Sequence, residues 1–178
     1  NELMDYAMKQ EATCRKNDSI SDALFEEYGV NRGLRDMNGK GVLTGLTTIS
    51  KIVSFADVNG VKTPCDGQLW YRGYNVQTLV KQVGENGFGF EKTAYRLLFG
   101  EMPNEEELKE FCKIMANCRT LPTNFTRDVI MKAATKDIMN SMTRSILTLA
   151  SYDSQVNSSD VISNSLRQCI ELISIFPM

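Results

Sequence analysis

A chain of 178 residues, 42% of them apolar and 24% charged, has the size and make-up to bury one sizeable globular core. Its net charge of −2, with acidic and basic residues interspersed, offers no basic stripe for phosphates, so no nucleic-acid partner is expected. No apolar run approaches the roughly 20 residues that cross a bilayer, and the start lacks a signal-peptide profile, so no membrane partner and a cytoplasmic location are expected.

The chain contains no histidine, the commonest acid/base group at neutral pH and the commonest metal ligand. Any catalysis would have to rest on carboxylates, lysines or thiols. The five cysteines are odd in number and form no C-x-x-C pair, which argues against a zinc cage or a fully paired disulfide framework. They are expected to be buried, reduced thiols, and no metal site is expected.

In chain order, the opening stretch places Leu3, Tyr6, Ala7 and Met8 roughly on one helical face. It starts without an initiator methionine or a cap, as a trimmed chain would. Ser19 is positioned to cap a short helix with Ala23, Leu24 and Tyr28 at helical spacing, stopped by Gly29. The polar linker "VNRGLRDMNGKG" follows. From Val42 to Arg72 the β-branched run "VLTGLTTISKIVSFADV" and the later "QLWYRGY" predict a β-hairpin or small sheet. Asn59-Gly60 marks its turn, and Asp66-Gly67 marks a second turn with room for a third short pairing in the loop. Arg72 ends this region, its stem expected against Trp70 or Tyr74 and its head on backbone or a carboxylate. Gly73 supplies the sharp turn into a helix capped by Asn75 and closed by Gly84.

Helices dominate the remainder. "FGFEKTAYRLLFG" predicts a helix with Phe90, Ala94, Leu97 and Leu98 inward, stopped at Gly100 ahead of Pro103. Asn104 caps the next, with Glu105, Glu106 and Glu107 in the first turn and Leu108, Phe111, Cys112 and Met115 inward. The glutamates read as a solvated first turn complementing the helix dipole, not as a catalytic pair. Further helices are expected from about Thr123, Lys136 and Ser158, with "SYDSQVNSSD" as the longest polar linker. The closing "RQCIELISIFPM" leaves Ile173, Ile175, Phe176 and Met178 as an apolar edge that something is expected to cover, which suggests that the natural chain continues.

Three ordered blocks, "RGLRDMNGKGVLTGLTTISKI", "GQLWYRGYNVQTLV" and "EKTAYRLLFGEMPNEEELKEF", covering about Asn31 to Phe111, resemble the N-terminal part of a citrate synthase. The resemblance implies a mainly α, multi-helical fold with a small N-terminal β-hairpin, in a homodimeric acyltransferase of the tricarboxylic acid cycle with its active site between a large and a small domain. Residues 1–178 would be the N-terminal portion of the large domain: about 1–41 N-terminal helices and linker, 42–72 the β-hairpin, 75–178 helices, with the small domain and C-terminal part absent. The complete enzyme would condense acetyl-CoA with oxaloacetate to give citrate and CoA, using two histidines and an aspartate that lie beyond this segment. No catalytic residue is therefore assigned here. The 178 residues are expected to be inactive alone and to bind no cofactor, acetyl-CoA being a substrate of the complete enzyme. The 2-methylcitrate synthases share the same blocks.

One site residue carries over. The resemblance implies that Arg35, in "GLRDM", matches the family's arginine that reaches coenzyme A phosphate, while from the residues alone a surface arginine ordering the linker through carbonyls is the favoured reading. Asn140 and Ser141 stand where many family members have His and Pro, and either is positioned to cap the helix running to Leu149. A non-enzymatic helical module that pairs through exposed apolar helices is the alternative from a different class.

Overall fold

The computed structural model describes residues 2–30, 34, 45–83, 87–157 and 161–178. They gather into two compact units, one of residues 12–108 and one of residues 1–11 and 109–178. The chain is mainly α with a small antiparallel sheet, as expected.

Within residues 12–108, the sheet is built on two tight turns. Strand β1 (Ser50–Val58) pairs antiparallel with β2 (Val61–Tyr71) through Asn59-Gly60, whose φ values of 54° and 80° are the mirror-image geometry that matches strand twist. Asp57 Oδ1 accepts from the Gly60 N–H at 2.7 Å and fixes the turn. Asp66-Gly67 makes no turn. Val53 faces Gln68 and Phe55 faces Pro64, so Cys65, Asp66 and Gly67 lie opposite Ser54 alone, as a bulge inside a continuous strand. The third pairing is not in that loop either. It comes after a second two-residue turn, Arg72-Gly73 (φ 47° and 84°), where β3 (Tyr74–Asn75) pairs back onto Trp70 and Tyr71.

The helices of this unit differ from expectation in which face they bury. Helix α2 (Ala23–Glu27) starts after Asp22 with no side-chain cap, not from Ser19, because Asp22 itself is already helical. Ala23 and Tyr28 are exposed, while Leu24 and Phe25 are half-buried; Gly29 does take the left-handed stop (φ 58°). Asn75 caps α3 (Val76–Gln82) through a 2.9 Å bond from the Gln77 N–H; Gly84 lies outside the described residues. Helix α4 (Gly89–Phe99) buries Tyr95 and Phe99, whose rings meet edge to face at 4.5 Å, and leaves Phe90 exposed. The large rings at i and i+4 outcompete Phe90 for the core, rotating the inward face away from it.

Within residues 1–11 and 109–178, helix α1 (Glu2–Asp18) contributes Leu3, Tyr6 and Ala7 to the core, with Tyr6 6.4 Å from Phe111; Met8 points to solvent. Helix α5 (Glu105–Asn117) begins with a reciprocal capping box. The Glu107 N–H donates to Asn104 Oδ1 at 2.9 Å and the Asn104 N–H to Glu107 Oε2 at 2.8 Å. It buries Phe111, Ile114 and Met115, with Leu108 and Cys112 half-buried. The helix expected from about Thr123 is a single π-helical turn, Thr126–Met131. Helix α6 (Ile138–Ala150) is capped by Asp137, which accepts from the Asn140 N–H at 3.0 Å. Asn140 and Ser141 therefore do not cap it; an extended Asp one turn earlier already fills that role. Helix α7 (Val161–Ile175) stops ahead of Pro177 with Ile175 buried, Ile173 half-buried, and Phe176 and Met178 exposed.

Of the cysteines only Cys14 is buried; Cys112 and Cys118 are half-buried, and Cys65 and Cys169 are exposed.

Candidate functional site

Arg35 lies outside the described residues. Four other arginines, Arg72, Arg96, Arg144 and Arg167, organise polar contacts among the described residues.

Arg72 sits where the carboxyl ends of two helices meet within residues 12–108. Helix ends leave their last carbonyls without intrahelical donors. The Arg72 guanidinium, 6% exposed, meets several of these needs at once. Nη1 donates to the Asn17 carbonyl at 3.1 Å and to Thr48 Oγ1 at 3.2 Å; Nη2 donates to the Leu97 carbonyl at 3.1 Å and to Asp18 Oδ1 at 2.5 Å. Its own carbonyl accepts from Arg96, whose guanidinium stacks 3.7 Å over the Tyr74 ring. The head of Arg72 thus binds backbone and a carboxylate, as the sequence suggested, and the Tyr74 ring carries the Arg96 guanidinium. The signal for Arg96 was weak: a charged residue in the last turn of an otherwise apolar helix face.

Arg167 fastens the 151–157 loop onto α7. It donates to Asp153 Oδ2 at 2.5 Å, Glu171 Oε2 at 3.1 Å and Asn164 Oδ1 at 2.9 Å, while Gln168 also donates to Asp153. Burial pushes the Asp153 carboxyl up, but Arg167, the Gln155 N–H and Gln168 outweigh it and hold it below the usual aspartate range. The stripe Asn164, Arg167, Gln168 and Glu171, recurring every three to four positions along an apolar helix, was the legible sign of this network.

Arg144 stands beside an open cavity of about 730 Å³ within residues 121–178, walled by apolar side chains of the π-helical turn, α6 and the end of α7. It donates from Nε to Asn140 Oδ1 at 2.8 Å and from Nη2 to the Ala133 carbonyl at 2.7 Å. Among the described residues no carboxylate pairs with it. Asp128, also on the wall, is held below the usual carboxylate range by its bond from Arg127 and then by Lys132. The α6 flank is apolar and open, with Ile138 74%, Met139 75% and Leu147 68% exposed.

Neither Asp128 nor Cys118 is set up for proton transfer or attack. An ionised, doubly paired Asp128 is a poor base, and burial pushes the half-buried Cys118 thiol up, helped by Glu171 and Glu2, which leaves it a poor nucleophile. Among the described residues no cluster of His, Cys, Asp or Glu could hold a metal ion. No helix among them is long and apolar enough to cross a membrane.

The chain is mainly α; within residues 12–108 Arg72 ties helix ends together, and within residues 121–178 an open cavity is walled by apolar side chains. Its family is explicit in the sequence: residues 36–178 match the family described as citrate synthase, C-terminal domain, a span that begins just past Arg35. The chain belongs to the citrate synthase family. Over 71 residues it is 37% identical to 2-methylcitrate synthase 1 of Corynebacterium glutamicum, a match covering 40% of this chain and 15% of that relative's length.

Proposed function

We propose that these residues are the N-terminal portion of the large domain of a longer citrate synthase, which condenses acetyl-CoA with oxaloacetate to give citrate and CoA. The observation that carries this reading is the family match over residues 36–178. The reaction removes a weakly acidic methyl proton, stabilises the resulting enolate, joins it to the ketone carbon of oxaloacetate, and hydrolyses the thioester with release of the thiol. Each step needs a positioned base or a neutral donor. With no histidine in the chain, those groups are supplied from elsewhere in the complete enzyme, and the 178 residues contribute scaffold.

Thiol release with acetyl-CoA and oxaloacetate tests this. The longer enzyme is expected to turn over and the 178-residue chain is not; turnover by the latter would overturn the reading. The relative from Corynebacterium favours a second reading, 2-methylcitrate synthase, whose product carries one more methyl and so requires an acyl thioester one carbon longer. A pocket distinguishes one methylene by about 10- to 200-fold. Comparing kcat/KM for acetyl-CoA and propionyl-CoA in the longer enzyme decides between the two. No thiol release with either would favour the non-enzymatic module.

The open apolar flank of α6 supports a homodimer, read out by light scattering. We further place the protein in the cytoplasm, where exposed thiols such as Cys65 stay reduced. Arg35 is proposed to contact the phosphate of coenzyme A: Arg35→Gln is expected to raise KM for the acyl thioester and leave KM for oxaloacetate unchanged.

A further inference from the structure

The hairpin formed by β1 and β2 is exposed along most of its length, and a two-stranded ribbon is barely stable alone in water. Its base therefore needs an anchor. The carboxyl ends of α1 and α4 approach closely there: Asn17 Nδ2 donates to the Phe99 carbonyl at 2.6 Å, and a Cβ on Gly100 would lie 2.9 Å from Asn17 Cβ. Each helix end carries roughly half a negative charge, so two together ask for about one cation. Arg72 provides it from the turn that closes the sheet, and holds a left-handed backbone (φ 47°) that an arginine rarely adopts. Its N–H also donates to the Ile49 carbonyl at 2.8 Å, tying the start of β1 to the same point. The acceptors are spread so that Nη1 and Nη2 each reach two of them, while Nε is buried without a partner. This is recognition of a planar two-pronged head; a lysine ammonium, a point donor, cannot reach all four.

We propose that the junction of the α1 and α4 carboxyl ends is a guanidinium-selective site, filled from within by Arg72, and that its occupancy clamps the base of the β-hairpin. The site outlasts its tether: once the side chain is removed, free guanidinium fits the same acceptors and restores the clamp.

Trp70 is the single tryptophan and lies two residues from the clamp, so its fluorescence reports locally. In the 178-residue chain, Arg72→Ala is expected to shift Trp70 emission to the red and to speed amide exchange over residues 69–75 by about tenfold, with α5 and α7 unchanged. Guanidinium chloride at tens of millimolar, far below its denaturing molar range, is expected to reverse both effects, and potassium chloride at equal ionic strength is not. Arg72→Lys is expected to resemble Arg72→Ala, and Thr48→Val, which removes one acceptor, to fall between Arg72→Ala and the unaltered chain. The proposal is overturned by unaltered exchange in Arg72→Ala, by equal recovery with potassium, by full function of lysine at the clamp, or by unfolding of α5 and α7 together with the hairpin.

Discussion

The Arg72 junction in residues 12–108 and the α6 flank in residues 109–178 solve opposite problems. At the junction, polar backbone ends are buried and Nη1 and Nη2 of the guanidinium each donate to two acceptors, so most of the cost of taking these polar groups out of water is met locally. At the flank, apolar side chains stand in water beside a cavity, and Arg144 donates to a carbonyl and an amide oxygen with no carboxylate partner among the described residues. The contrast teaches where stability and where association reside. Changes at the first kind of region should alter folding, and changes at the second should alter what the protein associates with.

The largest effects are expected at the rings that close each unit's core. Phe99→Ala and Phe111→Ala each remove a fully buried ring and should cost about 3–5 kcal/mol in urea unfolding. Separate transitions for the two variants would sharpen the division into two units; identical ones would blur it. Next is the Asp153 network. Because the folded-state pKa of Asp153 is lowered, the stability it contributes is present above the unfolded value of about 3.9 and lost as the pH falls through the folded one. Asp153→Asn is expected to cost about 1.5–3 kcal/mol at neutral pH and to flatten the loss of stability below pH of about 4, measured by urea midpoints across that range.

Gly100→Ala comes third. The left-handed φ of 79° and the closeness of Asn17 should together cost on the order of 1–2 kcal/mol, read as a lowered Tm. Asn104→Ala removes one half of the capping box and should cost about 1 kcal/mol. Smallest in stability is Leu147→Ser on the exposed flank, expected within about 0.5 kcal/mol of the unaltered chain. Its effect should appear instead as reduced self-association in light scattering. A large loss of stability there would break the comparison between the two regions.

Much of the fold could be read locally. Asn59-Gly60, Asn75, Gly100 and the Asn104–Glu107 pair each work through atoms within a few residues, so their sequence signals and their structures coincide. Asp66-Gly67 shows the limit of such signals. A turn dipeptide was drawn into a bulge because the flanking residues gained more from continuing the ladder. Phe90 and Met8 show another limit, since periodicity names an amphipathic helix but not which neighbouring side chains compete for its core. Of the candidate site, only the head of Arg72 was anticipated correctly. Arg96, Arg144 and Arg167 act on groups brought near by packing, and Arg35 lies outside the described residues.

By itself the sequence determined the family, the mainly α class, the Asn75 and Asn104 caps and the hairpin turn, because these depend on residue identity and on bonds spanning one turn of chain. Only the tertiary structure decided which helix ends abut, which arginine neutralises them and which apolar face stays open. Those outcomes depend on atoms tens of residues apart, such as Asn17, Arg72 and Leu97, whose meeting no local pattern encodes.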